Sequence, residues 1–356
     1  MHAIYFWLLF VKAAKVFVYD EKFIPPELLE QSDVCENHVF GSEVKLPRYL
    51  RMHSSTAEWS EADFFYVPMN IACVYYGNSK ANSQEMDEAL LVQLDVILDR
   101  LLASLPFFAI MGGRRHIFNL FFKGLFPGWR TKLANSIILT SETEVEFEIS
   151  SEYFPVQNRI TGLYPPYDNL RDIVIPPSLR VDQLLFFASR AQSVGITRPW
   201  FVSFFGKRWV DVTEGFEIRQ RIIDLFQDRK DSIIHAVDTV KDFVSLEEVA
   251  QVMGKSKFCL IPRGRSAWTT RFYDAWSAGC VPVVISDYWV LPFNLSSTSL
   301  IHWPAEALDE SLTVYLESIT NDEITVYRTE AEKIRQQYIY GGSAEEQIIA
   351  QLYKLN

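Results

Sequence analysis

Residues 257–303 restrict the possible fold more than any other part of the chain. The β-branched and aromatic run at 258–261 predicts a buried strand. A loop follows, and an apolar helix then leads into a second buried run at 281–285. Strand, helix and strand in this order form a βαβ unit, whose two strands lie parallel in one sheet. The segment therefore predicts an α/β protein.

Runs of strand-forming residues recur along the whole chain. They lie at residues 15–20, 62–68, 136–140, 173–175, 200–205 and 232–235. Apolar residues at helical spacing predict helices at 85–105 and near 216–226, and Ser245 with Glu248 has the capping-box pattern that begins a helix. This alternation favours parallel sheets with helices on their faces.

Proline marks the change from one half of the chain to the other. Proline pairs at 165–166 and 176–177 bracket an irregular segment, and Pro199 precedes a new strand. The chain has 356 residues, enough for two α/β domains of ~150 residues each. We therefore expect two Rossmann-like domains that face a cleft, at residues 15–180 and 198–305, followed by a helical tail at 306–356.

The loop between the two strands of the 257–303 segment is strongly basic. Residues 254–271 contain five basic residues and no acidic one, although the formal net charge of the chain is −11. Arg263, Gly264, Arg265 and Ser266 lie in the loop, and we expect Arg271 one turn inside the helix. Cations beside a helix N-terminus bind phosphate, so the loop predicts a diphosphate site; a solvated basic turn is the alternative. The acidic balance of the chain speaks against a nucleic-acid partner.

Other charged residues of the second half lie near the expected ends of its strands. Lys207 and Arg208 follow the strand at 200–205 and are either a second phosphate contact or part of a surface turn. Arg271 and Asp274 share one face of a helix. They either form an ion pair, or they contact a phosphate and the hydroxyls of a ribose or sugar.

The cysteines and the first residues carry information about the compartment. The four cysteines lack metal-site spacing, so we expect no bound metal. Cys259 and Cys280 are either small buried hydrophobes or, in an oxidising compartment, a disulfide. The apolar residues 1–11 fall short of the roughly 20 needed to span a bilayer. They are either a clipped signal-anchor or a lead-in to the first strand.

Several motifs together resemble the signature of the exostosin family of glycosyltransferases. The longest are FCLIPRGR at 258–265 and TRFYDAWSAGCVPVVISD at 270–287, followed by LPF at 291–293. Shorter motifs with the same resemblance are EADFFYVP at 61–68, GRRHIFNL at 113–120 and FFGKR at 204–208. The run KVFVYD at 15–20 also resembles the opening strand of the family. The motifs come in the same order as in the family, and the resemblance covers about residues 15–340.

The resemblance implies a GT-B fold and an inverting transfer from a UDP-sugar to a hydroxyl of a glycan acceptor, with no cofactor. Residues 198–305 would then bind the nucleotide sugar and residues 15–180 the acceptor. No Asp-x-Asp occurs in the chain, so the carboxylate pair of metal-dependent nucleotide-sugar transferases is missing. We therefore expect a metal-independent enzyme in which arginines stabilise the departing UDP.

An inverting transfer needs a base that takes the proton of the acceptor hydroxyl. His116 matches the histidine of the family and is the leading candidate; a structural histidine in a loop is the alternative. Many relatives have an acid before this histidine, whereas this chain has Arg115. Asp287, just past the strand at 281–285, is the second candidate, with a turn or a helix cap as its alternative.

The resemblance also implies a Golgi membrane or lumenal location with type II topology. It further suggests a homo-oligomer, or a hetero-oligomer with another exostosin-like protein. The alternative function is a non-catalytic exostosin-like subunit that supports a catalytic partner. A different GT-B enzyme, such as a phosphorylase-like or sugar-epimerising protein, is a third hypothesis.

Overall fold

The computed structural model describes residues 14–29, 33–56, 58–78, 88–121, 128–141, 143, 168, 170–191, 198–208, 213–264, 266–295 and 298–355. Within these ranges ten strands form two parallel sheets of five strands each, with helices packed on them. The predicted α/β class with two parallel sheets is confirmed.

The strands and helices are numbered in the order in which they occur along the chain. The strands are β1 (Val16–Val18), β2 (Phe64–Val67), β3 (His116–Asn119), β4 (Ile137–Thr140), β5 (Ile173–Val174), β6 (Trp200–Lys207), β7 (Ser232–Val237), β8 (Ser256–Pro262), β9 (Val281–Ile285) and β10 (Ile301–His302). The α-helices of the described residues are α1 (Asp33–Glu36), α2 (Ser42–His53), α3 (Ile71–Asn78), α4 (Glu88–Ser104), α5 (Phe108–Met111), α6 (Trp129–Lys132), α7 (Val181–Arg190), α8 (Thr213–Phe226), α9 (Leu246–Gly254), α10 (Arg271–Ser277), α11 (Glu310–Ser318), α12 (Asn321–Ile334) and α13 (Ala344–Lys354).

The first sheet has its described strands in chain order, β1-β2-β3-β4-β5. Successive side chains of a strand point to opposite faces, so both faces of this apolar sheet need a cover. Phe64 and Tyr66 of β2 belong to a buried cluster with α2 and α13, whereas Phe65 and Val67 belong to another with α4. Helices therefore cover both faces.

The second sheet has the order β10-β9-β8-β6-β7. The chain passes from β6 to β7 at one edge and then returns to β8 on the other side of β6, from where the order runs outward to β10. The direction of winding thus reverses between β6 and β8. Open parallel sheets bind ligands outside the carboxyl ends of their strands at such a switch point.

The C-terminal residues do not form a separate tail but are divided between the two sheets. Leu312 of α11 and Ile324 of α12 pack in the buried cluster of β8 and β9. Ile348 and Leu352 of α13 instead pack in the cluster of β1, β2 and β3. The chain therefore returns to the first sheet after α12, because the apolar face of α13 completes the cover of that sheet.

The carboxyl edges of the two sheets face each other. Phe121, two residues past β3, packs edge-on against Trp268, which follows β8, with ring centroids 5.2 Å apart. Past β4, Thr143 donates its hydroxyl to the Tyr288 carbonyl at 2.5 Å and accepts from the Val290 amide at 3.1 Å. The residues that follow β3 and β4 thus contact the loops that follow β8 and β9.

Two disulfides use all four cysteines of the chain. Cys35 of α1 is joined to Cys73 of α3, and Cys259 of β8 to Cys280 just before β9. The second bond is one of the two alternatives expected for its cysteines. The first was not predicted, because its partners lie 38 residues apart in segments without a shared motif. No described helix is long and apolar enough to cross a bilayer, and residues 1–11 lie outside the described ranges.

Most predicted strands and helices are present, but two strands, β3 and β10, were not predicted. His116 was expected in a loop, whereas His116–Asn119 form β3 in the centre of the first sheet. The predicted helix cap at Ser245 is present, with its hydroxyl accepting from the Glu248 amide at 3.2 Å. β3 was missed because a histidine and an asparagine leave only two apolar residues between them.

Candidate functional site

The switch point of the second sheet brings together Lys207 and Arg263. Ser203 of β6 pairs with Cys259 of β8, so four residues further along each strand Lys207 comes level with Arg263. Lys207 ends β6 and is partly exposed, and Arg263 directly follows β8 and is buried. Two predicted phosphate contacts, 56 residues apart in sequence, therefore lie at the same edge.

A third cation, Arg219 of α8, lies beneath this edge and was not predicted. Its Nε donates to the Arg263 carbonyl at 3.0 Å, its Nη2 to the Pro262 carbonyl at 3.4 Å, and its Nη1 to the Lys207 carbonyl. Burial and the nearby charge of Arg271 lower the pKa of Arg219. A signal was present in the sequence, because Arg219 interrupts the apolar side of α8, next to the fully buried Ile222.

The predicted helix N-terminus after the basic loop is not formed as expected. Helix α10 begins at Arg271, not one turn before it, and has only seven residues. The Arg271 amide donates to the Thr269 hydroxyl, and the amides of Phe272 and Tyr273 donate to nearby loop carbonyls. Ser266 holds the loop through its carbonyl, which accepts from the Gly264 amide at 3.1 Å. The first amides of α10 are thus already used within the chain.

Arg271 and Asp274 form an ion pair, one of the two alternatives. Nη1 of Arg271 lies 3.2 Å from Oδ2 of Asp274, and Gln183 of α7 donates to Oδ1 at 2.8 Å. Burial raises the pKa of Asp274, while Arg271 and Gln183 oppose that rise. Both carboxylate oxygens of Asp274 therefore already accept from side chains of the protein. The arrangement fixes Arg271 on the side of the switch point, close enough to Arg219 to affect its pKa.

Arg208 is directed away from the switch point. Its Nε donates to Oδ1 of Asp238 at 2.6 Å, and its Nη2 to the other oxygen of the same carboxylate. Asp238 follows β7, which lies on the opposite side of β6 from β8. Lys207, and not Arg208, therefore lies beside the end of β8. Arg265 lies outside the described residues.

His116 is enclosed in the core beside the first sheet. Its Nε2 lies 2.8 Å from the Tyr19 hydroxyl and its Nδ1 3.0 Å from the Arg114 carbonyl. A carbonyl can only accept, so Nδ1 carries the proton and Nε2 accepts from Tyr19. The ring stacks on Phe65 and Tyr19 and meets Phe108 edge-on. Burial lowers the pKa of His116 to about 4.

This position corrects the assignment of His116 as the base. His116 is the first residue of β3 and lies at its amino end, whereas the facing edges of the two sheets are their carboxyl ends. The side chain is completely buried, and both ring nitrogens are engaged. A base must be within hydrogen-bond reach of the acceptor hydroxyl. His116 lacks that access, and its geometry is that of a structural histidine.

Asp287 lies at the correct end of its strand but supports a loop. It follows β9 by two residues and is exposed. Both of its carboxylate oxygens accept from the Ala305 amide, at 3.0 and 3.2 Å. The carboxylate therefore points along the sheet toward the end of β10, away from β6 and β8. This is the cap alternative that was considered for Asp287.

A pocket lies at the carboxyl ends of β1 and β2 in the first sheet. Its volume is about 370 Å³, and its lining residues are Glu21, Leu29, Val44, Pro47, Arg48, Arg51, Met52, Pro68 and Asn70. Nη1 of Arg51 lies 3.6 Å from Oε1 of Glu21, so a hydrogen-bond donor and an acceptor are close together between apolar walls. Among the described residues, no cluster of His, Cys, Asp and Glu is placed to hold a metal ion.

Comparison with known proteins assigns the chain to a family. The sequence matches the Exostosin GT47 domain over residues 11–312, which is well over half of its length. The chain belongs to the exostosin GT47 family. A probable glucuronoxylan glucuronosyltransferase of Arabidopsis thaliana is 25% identical to this exostosin chain over 321 residues, or 84% of the chain and 63% of the relative.

Other relatives of the exostosin chain come from plants and animals. A probable beta-1,4-xylosyltransferase of Arabidopsis thaliana is 25% identical over 322 residues, covering 86% of this chain and 70% of the relative. Exostosin-1 of Drosophila melanogaster is 29% identical over 169 residues, covering 42% of this chain and 21% of the relative. The chain thus spans less than two thirds of the length of several curated relatives.

Two solved structures illustrate a weak likeness in fold. A structure described as "OtsA apo structure" has a TM-score of 0.46 at 9% identity, over 95% of this chain and 98% of that one. A complex of Anabaena HepE with UDP and glucose has a TM-score of 0.41 at 11% identity, over 96% and 99%. Likenesses at this level carry no weight for function, and the fold rests on the two parallel sheets themselves.

Proposed function

We propose that this exostosin-family chain is an inverting glycosyltransferase that moves a sugar from a UDP-sugar to a hydroxyl of a glycan, without a metal ion. The observation that supports this most is the position of Lys207, Arg263 and Arg271 around the switch point of the second sheet. The two phosphates of UDP need positive charge, and this edge concentrates it in a chain of net charge −11.

The residues at this edge suggest separate roles in donor binding. Lys207 and Arg263 would contact the diphosphate, and Gly264 and Ser266 would shape the loop around it. Arg271, held by Asp274, would stabilise the charge that develops on the departing UDP. Arg265 belongs to this proposal through its motif alone.

The pocket at the ends of β1 and β2 is the proposed acceptor site. Its apolar walls suit the faces of sugar rings, and Glu21, Arg51 and Asn70 offer hydrogen bonds to hydroxyl groups. Its position at the carboxyl edge of the first sheet is on the side that faces the second domain. An acceptor bound there would present a hydroxyl toward the donor.

A screen of nucleotide sugars tests this proposal. Relatives named as glucuronosyl- and xylosyltransferases make UDP-glucuronic acid and UDP-xylose the first donors to test, followed by UDP-N-acetylglucosamine and UDP-galactose. We expect UDP and at least one of these donors to raise the melting temperature, because a ligand that binds the folded state stabilises it. UDP release with a glycan acceptor should persist in EDTA, and product NMR should show inversion at the anomeric carbon. A chain that binds no UDP would contradict the proposal.

One observation favours a second function, that of a non-catalytic subunit. Neither His116 nor Asp287 presents a basic atom to an acceptor, because one is enclosed and the other caps a loop. Under this alternative the chain binds UDP but turns over no donor with any acceptor. Co-purification with another exostosin-like protein, and stimulation of that partner's activity, would then identify its role.

The disulfides support an oxidising compartment such as the Golgi lumen. All four cysteines are paired, and disulfides of this kind are rare in the cytosol. Protein purified from a secretory expression host should show no free thiol when it is labelled after denaturation. Labelling of all four cysteines in such a sample would contradict a lumenal enzyme with these bonds.

A further inference from the structure

Arg219 joins the ends of the two strands that form the switch point. Its guanidinium donates to one carbonyl at the end of β6 and to two at the end of β8, those of Lys207, Pro262 and Arg263. The side chain is only 6% exposed, and the group is planar, so its donors have a fixed geometry. The separation of the two strand ends is thus set by one rigid group.

The residue beside this guanidinium leaves room for it. A Cβ added to Gly206 would lie 2.9 Å from Nη1 of Arg219 and 3.0 Å from the ring of Phe204. Gly206 immediately precedes Lys207 in β6. A side chain at position 206 would therefore displace the guanidinium without changing its charge.

A second buried arginine provides a comparison at the opposite end of the same sheet. Arg198 is 3% exposed and donates to the carbonyls of Met253, Ser256 and Ala278 at 2.7 to 3.2 Å. Ser256 begins β8, so these bonds lie at the amino ends of the strands. Arg198 matches Arg219 in burial and in the kind of bonds it makes, but it lies far from the carboxyl edge.

We propose that Arg219 is a positioning residue for donor binding: it holds Lys207 and Arg263 at the spacing that a diphosphate requires. This inference rests on the proposed function of the switch point as the donor site. Arg219 acts through the two strand ends, since its hydrogen bonds within the described residues all go to backbone carbonyls. Its role therefore depends on the shape of the guanidinium and not on its charge alone.

The test compares Arg219→Lys with Arg198→Lys in the full chain, with UDP as the probe in titration calorimetry. Lysine keeps the charge but cannot reach three carbonyls from one planar group. Losing two such bonds should weaken UDP binding about tenfold or more in Arg219→Lys. Arg198→Lys should lower the urea midpoint as much as Arg219→Lys does. It should change the Kd for UDP by less than about twofold, because distant sites act independently.

Gly206→Ala is the second variant, and it leaves every charged residue in place. It should weaken UDP binding in the same direction as Arg219→Lys. Equal UDP affinities in Arg219→Lys and Arg198→Lys, or full affinity in Gly206→Ala, would overturn the positioning role. If the unmodified chain binds no UDP, the proposed donor site itself fails, which is a different result from a chain that binds UDP regardless of residue 219.

Discussion

The two regions with family motifs and candidate functional residues lie at opposite ends of their strands. His116 begins β3, and its ring is enclosed by Tyr19, Phe65 and Phe108. Lys207 and Arg263 come at the ends of β6 and β8, on the edge that faces the first sheet. A motif match identifies a residue, but the end of the strand decides whether that residue can meet a substrate.

The difference also appears in the chemistry of the two regions. The His116 region satisfies its polar atoms internally, with a tyrosine hydroxyl on one nitrogen and a carbonyl on the other. The switch-point region collects several cations at one edge of a sheet. One of them, Arg271, pairs with Asp274, whose other carboxylate oxygen accepts from Gln183. The first region should therefore govern stability and the second should govern binding. The predictions below test this division.

Arg263→Ala should produce the largest loss of function. Removing a charged contact to a phosphate costs about 1.5–3 kcal/mol, so UDP affinity and donor turnover should fall roughly 10- to 150-fold. Calorimetry with UDP and a UDP-release assay measure the two quantities. Normal UDP affinity in a folded Arg263→Ala protein would end the assignment of the switch point as the donor site.

Removal of each disulfide in turn should distinguish the role of the first region in stability from the role of the second in binding. The bonds close segments of 38 and 21 residues, so removing either bond should lower the free energy of unfolding by about 3–4 kcal/mol. The two variants are Cys35→Ser with Cys73→Ser, and Cys259→Ser with Cys280→Ser. Only the second pair should also weaken UDP binding, because Cys259 lies on β8, four residues before Arg263. Urea unfolding and calorimetry provide the measurements. An equal loss of UDP affinity in both variants would contradict the division.

His116→Phe should lower stability and leave turnover nearly unchanged. Phenylalanine keeps the ring in its aromatic surroundings but removes the nitrogen that accepts the proton of the Tyr19 hydroxyl, at a cost of about 1–3 kcal/mol. Urea unfolding and donor turnover at a temperature where the variant is folded are the measurements. A loss of turnover of a thousandfold in folded protein would restore His116 as the base.

The pH dependence of the same pair of proteins checks the burial of His116. Its pKa is about 4 in the folded chain and about 6.5 when unfolded, so between these values the unfolded chain binds the extra proton. The stability of the unmodified chain should therefore fall by about 3 kcal/mol as the pH drops from 6.5 to 4. His116→Phe lacks this contribution, so the gap in unfolding free energy between the two proteins should narrow over that range.

Arg208→Ala should have the smallest effect. Its guanidinium is paired with Asp238 in a partly exposed ion pair, and such pairs contribute about 0–1 kcal/mol. We expect UDP affinity within about twofold of the unmodified chain and a nearly unchanged urea midpoint. A tenfold loss of UDP affinity would place Arg208 beside Lys207 in the donor site.

The local sequence was enough to predict much of the fold. Apolar runs and caps placed β2, β4, β8, β9 and the start of α9, because each has a strong local pattern. The strand β3 and the late start of α10 were missed for a common reason. A histidine in a buried strand and a basic loop before a short helix have no distinctive periodicity, and their conformations depend on what packs against them.

By itself, the sequence determined the α/β class, the family motifs and the concentration of positive charge in an acidic chain. Only the tertiary structure decided which of those charges meet. Strand order brings Lys207 level with Arg263, turns Arg208 toward β7 and places Arg219 beneath the edge. It also encloses His116. The physical reason is that pairing between strands distant in the chain sets which strand ends adjoin, and no local pattern encodes that order.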